Sequence, residues 1–131
     1  MTGDEYRARR KRPMRAAAFR DAFRGLRVLT GTQPNARFHL AATAAVLGAG
    51  VFFHLARWEW VAVFFAIMLV WAVEALNTAI EFVVDLVSPD QHLLAGWAKD
   101  VAAGAVLVVS LGAVAVGLVV FWPHLAALLP E

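Results

Sequence analysis

The sequence predicts an all-α membrane protein with three transmembrane helices and an N-terminal amphipathic surface helix. Three observations carry that expectation. The 131 residues are 61% hydrophobic and only 17% charged, too apolar for an ordinary soluble domain of this size. Val101 to Trp122 runs 22 residues without a charged side chain, enough to cross a bilayer core. Ten of the 12 Lys and Arg residues fall in residues 1–40 against three acids, a net +7, which leaves −5 in the remainder. A basic N-terminus on such a chain predicts a cytoplasmic N-terminus and attraction to anionic lipid, with no nucleic-acid partner. With no cysteine, a disulfide framework, a thiolate metal site and a cysteine nucleophile are all excluded. No apolar stretch of signal-peptide type follows within the first 35 residues, so the chain reads as mature.

Residues 1–14 form a charged arm containing Pro13, expected to be disordered. Over residues 15–30, Phe19, Phe23 and Leu26 recur at i, i+4, i+7, while Arg20, Arg24 and Arg27 take the polar side. This is a surface helix whose arginine stems snorkel while the guanidinium groups meet lipid phosphates, an anchoring role in which Arg24 and Arg27 are weak candidates for phosphate contact. Gly31 to Asn35 punctuates the chain. A first span follows over residues 36–56, small and apolar, with Gly48 and Gly50 for close packing and with His39 and His54 expected at interfaces. Trp58 and Trp60 anchor a second span over residues 58–87, which has no helix breaker before Ser88 and Pro89. A polar connection from Ser88 to Asp100 leads into the third span, about 98–122, which Pro123 should end, leaving 124–131 as a short tail. Residues 15–123 thus make one domain, with the N-terminus inside and the C-terminus outside.

The second span carries the informative pattern. At about 100° per residue, Glu74, Asn77, Glu81 and Asp85 fall within a band about 80° wide, on one helix face. The sixteen residues from Trp58 to Val73 rise about 24 Å, so Glu74 is expected near the cytoplasmic interface and Asp85 about 16 Å further out. Ionisable groups at that depth are costly against lipid and face a bundle interior or an aqueous cavity. Three carboxylates on one face repel unless a cation lies among them, and hard ions such as Mg²⁺ favour oxygen ligands completed by waters and nucleotide phosphates. The same stripe fits an ion or proton path, or a solvated helix end. Asp90, His92, Lys99 and Asp100 follow within fifteen residues, and neither GxxxxGK[ST] nor GxGxxG is present.

The segment Glu74-Ala-Leu-Asn-Thr-Ala-Ile-Glu81-Phe-Val-Val-Asp85, followed by His92 and by Ala98-Lys-Asp-Val-Ala-Ala-Gly-Ala-Val-Leu107, closely resembles the prokaryotic diacylglycerol kinase family, which includes the undecaprenol kinases. The likeness extends over about residues 15–122. It implies a homotrimer of three-span subunits in a prokaryotic inner membrane, transferring the γ-phosphate of ATP to a membrane lipid alcohol at the cytoplasmic interface with Mg²⁺ as cofactor. By position, Glu74 corresponds to the general base with Asn77 beside it, Glu81 to a metal ligand, and Asp85 to a nearby polar support. Asp90, His92, Lys99 and Asp100 correspond to ATP contacts. Where the family commonly has a second metal-binding glutamate, this sequence has Gln33, whose amide oxygen can ligate Mg²⁺ but brings no charge. The Asn77-Thr-Ala-Ile and Val101-Ala-Ala-Gly forms lean toward the undecaprenol branch. The competing expectations are a catalytically altered member with a binding role, and a small transporter or channel.

Overall fold

The computed structural model describes residues 14–90 and 92–129; the N-terminal arm expected over residues 1–14 lies outside them except for Met14, which begins the first helix. Four helices follow in order: α1 (Met14–Thr32), α2 (Pro34–Phe52), α3 (Arg57–Val87) and α4 (Leu93–Ala126). No strand occurs among the described residues. The chain divides into two compact units, one ending at Thr32 and the other beginning at Gln33.

In the first unit, α1 starts at Met14 and carries Phe19, Phe23 and Leu26, all exposed. Helical geometry puts these three within about 60° of one another and Arg20, Arg24 and Arg27 about 80–140° from Phe19, so the apolar and basic faces separate. Arg24 pairs with Asp21 at 3.2 Å, one turn back.

In the second unit, α3 packs against α4 through the larger interface and against α2 through a smaller one. The break before α2 falls on a single residue, Gln33, rather than on the whole Gly31–Asn35 segment. Pro34 occupies the first turn of α2, where its missing N–H costs nothing, and its ring forces Gln33 into an extended backbone, φ −103° and ψ 118°. Gly31 stays inside α1.

The first span, expected over 36–56, ends as a helix at Phe52. Phe53 N–H bonds to Ala49, His54 N–H to Val51 and Leu55 N–H to Gly50, and His54 takes the left-handed conformation at φ 53°. That turn reverses the chain into α3, whose first turn Glu59 caps by accepting from Ala56 N–H at 2.7 Å. Leu55, Val63 and Val120 form the buried core at this end, with Phe53, Trp60 and Phe121 around them. Gly50 is required there, because a Cβ would lie 2.7 Å from the Trp60 ring.

Two expectations about α4 are corrected. It starts at Leu93 rather than near 98, because the His92 side chain caps it by accepting from Leu94 N–H through Nδ1 at 3.2 Å. It also continues through Pro123 to Ala126, so the first residues of the expected tail are helical. By length and composition α3 and α4 can each cross a bilayer. Only 28% and 6% of their most apolar windows are buried within the protein, which leaves continuous apolar surface suited to lipid.

Candidate functional site

The stripe on α3 runs from the bundle interior to its exterior. Glu74 is 1% exposed and Asn77 6%, Glu81 is half-buried, and Asp85 is exposed. The 3.6-residue period places the four on one face, and the steady loss of cover along it gives each a different environment.

At the buried end, Glu74 Oε2 and Asn77 Oδ1 have no hydrogen-bond partner. Glu74 lies within electrostatic range of Glu81 and of His39 on α2. In the middle, Glu81 receives two amide donors: Asn77 Nδ2 to Oε1 at 3.2 Å, and Gln33 Nε2 to Oε2 at 3.3 Å. Both carboxylate oxygens are therefore held in place, and the residue at the start of α2 is brought to a residue less than two turns from the end of α3. At the exposed end, Lys99 Nζ lies 2.5 Å from Asp85 Oδ1, joining α4 to α3. Asp85, Lys99, Asp90 and His92 line an open pocket of about 510 Å³ with Val84 and Gly96. Asp100 is exposed on α4 and does not line that pocket.

Glu81 and Gln33 could offer a carboxylate and an amide oxygen to a hard divalent cation, whose remaining positions would be filled by water and phosphate. Turning the Gln33 amide over would present Oε1 in place of Nε2 beside Glu81. Among the described residues no group of three or more His, Cys, Asp or Glu side chains is placed to hold a metal ion.

The sequence placed His39 at an interface and did not show it lining a cavity beside α3. Trp71 was missed as well; its Nε1 donates to Thr43 Oγ1 at 3.1 Å one turn before Glu74, tying α3 to α2. Both belong to an apolar cavity of about 240 Å³ between α2, α3 and α4, lined also by Val46, Val63, Val70 and Gly117. The i, i+4 spacing of His39 and Thr43 was the available signal. Arg24 and Arg27 belong to α1, in the other unit.

A buried carboxyl with one unpartnered oxygen, a tethered carboxylate two turns further along and a pocket lined by a lysine beyond it thus succeed one another along the stripe. The family profile described as prokaryotic diacylglycerol kinase matches residues 20–121. The chain is 43% identical over 108 residues to an undecaprenol kinase of Bacillus subtilis, covering 82% of this chain and 88% of that protein. It is 40% identical over 118 residues to a diacylglycerol kinase of Synechocystis sp., covering 89% and 67% respectively. A diacylglycerol kinase of Escherichia coli K12 is 44% identical over 59 residues, covering 45% and 48%. The chain belongs to the prokaryotic diacylglycerol kinase family.

Proposed function

We propose that this protein is a membrane-embedded lipid kinase that transfers the γ-phosphate of ATP to the hydroxyl of a lipid alcohol, a diacylglycerol or undecaprenol. The observation that carries this reading is the gradient along α3, from the buried, unpartnered Glu74 carboxyl to the exposed Lys99–Asp85 pair. One end suits a substrate dissolved in the membrane, the other a substrate arriving from water.

In this reading, Glu74 takes the proton of the acceptor hydroxyl through Oε2, with Asn77 beside it on the same face. Glu81 and Gln33 hold Mg²⁺, which when bound neutralises phosphate charge. Lys99 turns from Asp85 to the nucleotide phosphates, and Asp90, His92 and Asp100 complete the ATP contacts. Since Nδ1 of His92 accepts from Leu94 N–H, the neutral ring carries its proton on Nε2, a donor that a nucleotide could use.

The architecture that goes with this chemistry is three spans, α2, α3 and α4, with α1 lying on the bilayer surface. Arg24 and Arg27 face lipid phosphates there. The arginine excess keeps the N-terminus in the cytoplasm and puts the C-terminus outside the inner membrane, and three copies assemble as a trimer.

The test is Mg²⁺-dependent conversion of radiolabelled ATP into an organic-extractable phospholipid by purified protein in mixed micelles. Diacylglycerol and undecaprenol are to be compared at matched surface concentration. Labelling of neither lipid, together with identical behaviour of Glu74→Gln, overturns the kinase assignment. Ion flux in sealed vesicles without ATP would instead favour a transporter.

A further inference from the structure

Thr78 sits one turn beyond Glu74 and is 4% exposed, yet its Oγ1 has no hydrogen-bond partner. A threonine inside a helix ordinarily satisfies its hydroxyl by donating to the carbonyl three or four residues back. Two threonines of this chain do so: Thr30 Oγ1 donates to Leu26 O at 3.0 Å and Thr32 Oγ1 to Val28 O at 2.8 Å. Thr43 Oγ1 receives the Trp71 indole. Of the described threonines, Thr78 alone has no hydrogen bond at its hydroxyl, and it is the buried one. An unsatisfied buried hydroxyl costs about 1–3 kcal/mol, and a native structure that tolerates one has a use for it.

Its surroundings indicate the use. On the helix, Thr78 lies about 40° to one side of Glu74 and Asn77 about 60° to the other, so the two flank the carboxyl on the next turn. Three buried polar atoms in this arc lack partners: Glu74 Oε2, Asn77 Oδ1 and Thr78 Oγ1. The first is a carboxyl oxygen and the second a pure acceptor, whereas the third both donates and accepts. A neutral alcohol complements this set better than an anion does, because it gives one proton and offers lone pairs in return.

We propose that Thr78 is a substrate-contacting residue that orients the acceptor hydroxyl; this rests on the lipid-kinase reading above. The Thr78 O–H donates to one lone pair of the acceptor oxygen, the acceptor proton points at Glu74 Oε2, and the second lone pair is left facing the γ-phosphorus. In the transfer, the acceptor oxygen forms the new O–P bond, the bond from the γ-phosphorus to the bridging oxygen of ATP breaks, ADP leaves with that electron pair and Glu74 keeps the proton. Thr78 neither gains nor loses a proton.

Thr78→Val is nearly isosteric and removes only the hydroxyl, while Thr78→Ser keeps it. Full-length protein in mixed micelles is assayed with diacylglycerol and with undecaprenol, and both KM values, kcat and the thermal unfolding midpoint are recorded. Thr78→Val is expected to lose about tenfold in kcat/KM for the lipid alcohol, the worth of one well-placed hydrogen bond. KM for ATP stays put, the unfolding midpoint is unchanged or higher, and Thr78→Ser restores turnover. Wild-type kcat/KM in Thr78→Val overturns the proposal. So does a shift in KM for ATP, or a loss in which unfolding midpoint and activity fall together and serine restores neither. Wild-type protein inert toward both lipids removes the kinase reading itself and this role with it, an outcome distinct from an active wild type matched by an active valine variant.

Discussion

Gln33 and Glu81 are joined by a 3.3 Å hydrogen bond from the amide nitrogen at the start of α2 to the carboxylate on α3. The bond ties together the two residues proposed above to hold the metal. A glutamate in place of Gln33 sets two carboxylates against each other, which requires a positive charge between them. Gln33→Glu is therefore expected to lower the unfolding midpoint in EDTA, to regain it on Mg²⁺ addition, and to reach half-maximal activity at a lower Mg²⁺ concentration. Titrating activity and unfolding against Mg²⁺ checks both halves. An unchanged Mg²⁺ dependence removes Gln33 from the ligand set.

Glu74→Gln keeps the shape of the buried side chain but withdraws its basicity. Kinase turnover should fall by about 10²–10⁴, the range of a lost general base. The folded state should hold or gain stability, since a buried carboxyl no longer needs a counter-charge. Measuring kcat beside thermal unfolding distinguishes this from general damage, which lowers both.

Lys99 and Asp85 are 38% and 63% exposed, so their ion pair contributes little to stability, about 0–1 kcal/mol. If Lys99 meets phosphate, its loss shows in nucleotide binding. Lys99→Met should raise KM for ATP about tenfold or more, as expected for a charge-assisted hydrogen bond, and leave the lipid KM and the unfolding midpoint nearly unchanged. Steady-state kinetics with each substrate varied in turn provides the check.

At the other end of α3, Glu59 is 7% exposed and is bonded both to Ala56 N–H and, at 3.1 Å, to His124 Nε2 on α4, with the Phe53 ring 5.7 Å from the imidazole. Glu59→Ala strips the partner from both groups and should lower the unfolding midpoint. Lipid-kinase kcat/KM should be preserved at temperatures where the variant is folded, because the stripe lies several turns away. A loss of turnover in fully folded Glu59→Ala would mean the two ends are coupled.

The contrast between these sites explains what was legible in the sequence. Glu74, Asn77, Glu81 and Asp85 declare themselves by period alone, since a helix maps spacing directly onto a face. The helix ends at Gln33 and Phe52 are local events set by Pro34 and by the His54 turn, and the sequence placed them within a few residues. Pro123 misled, because near a helix C-terminus a proline can be absorbed into the final turns. Glu59 and His124 lie 65 residues apart, and Trp71 and Thr43 28 apart. Such pairs depend on how helices are rotated about their axes, which no local pattern encodes. Thr78 stood inside the recognised motif, but its distinction is a missing hydrogen bond, visible only with coordinates.

The 31 residues of α3 measure about 46 Å, against a hydrocarbon core of about 30 Å. A helix that long acts as a ruler held across two phases, with Glu74 and the Lys99–Asp85 pair as marks on its scale. Lengthening the acyl chains of the host bilayer slides the waterline along that ruler, and tilt has only a limited range with which to answer. Turnover in vesicles of graded thickness should pass through an optimum, so that the membrane itself sets how well the two substrates meet.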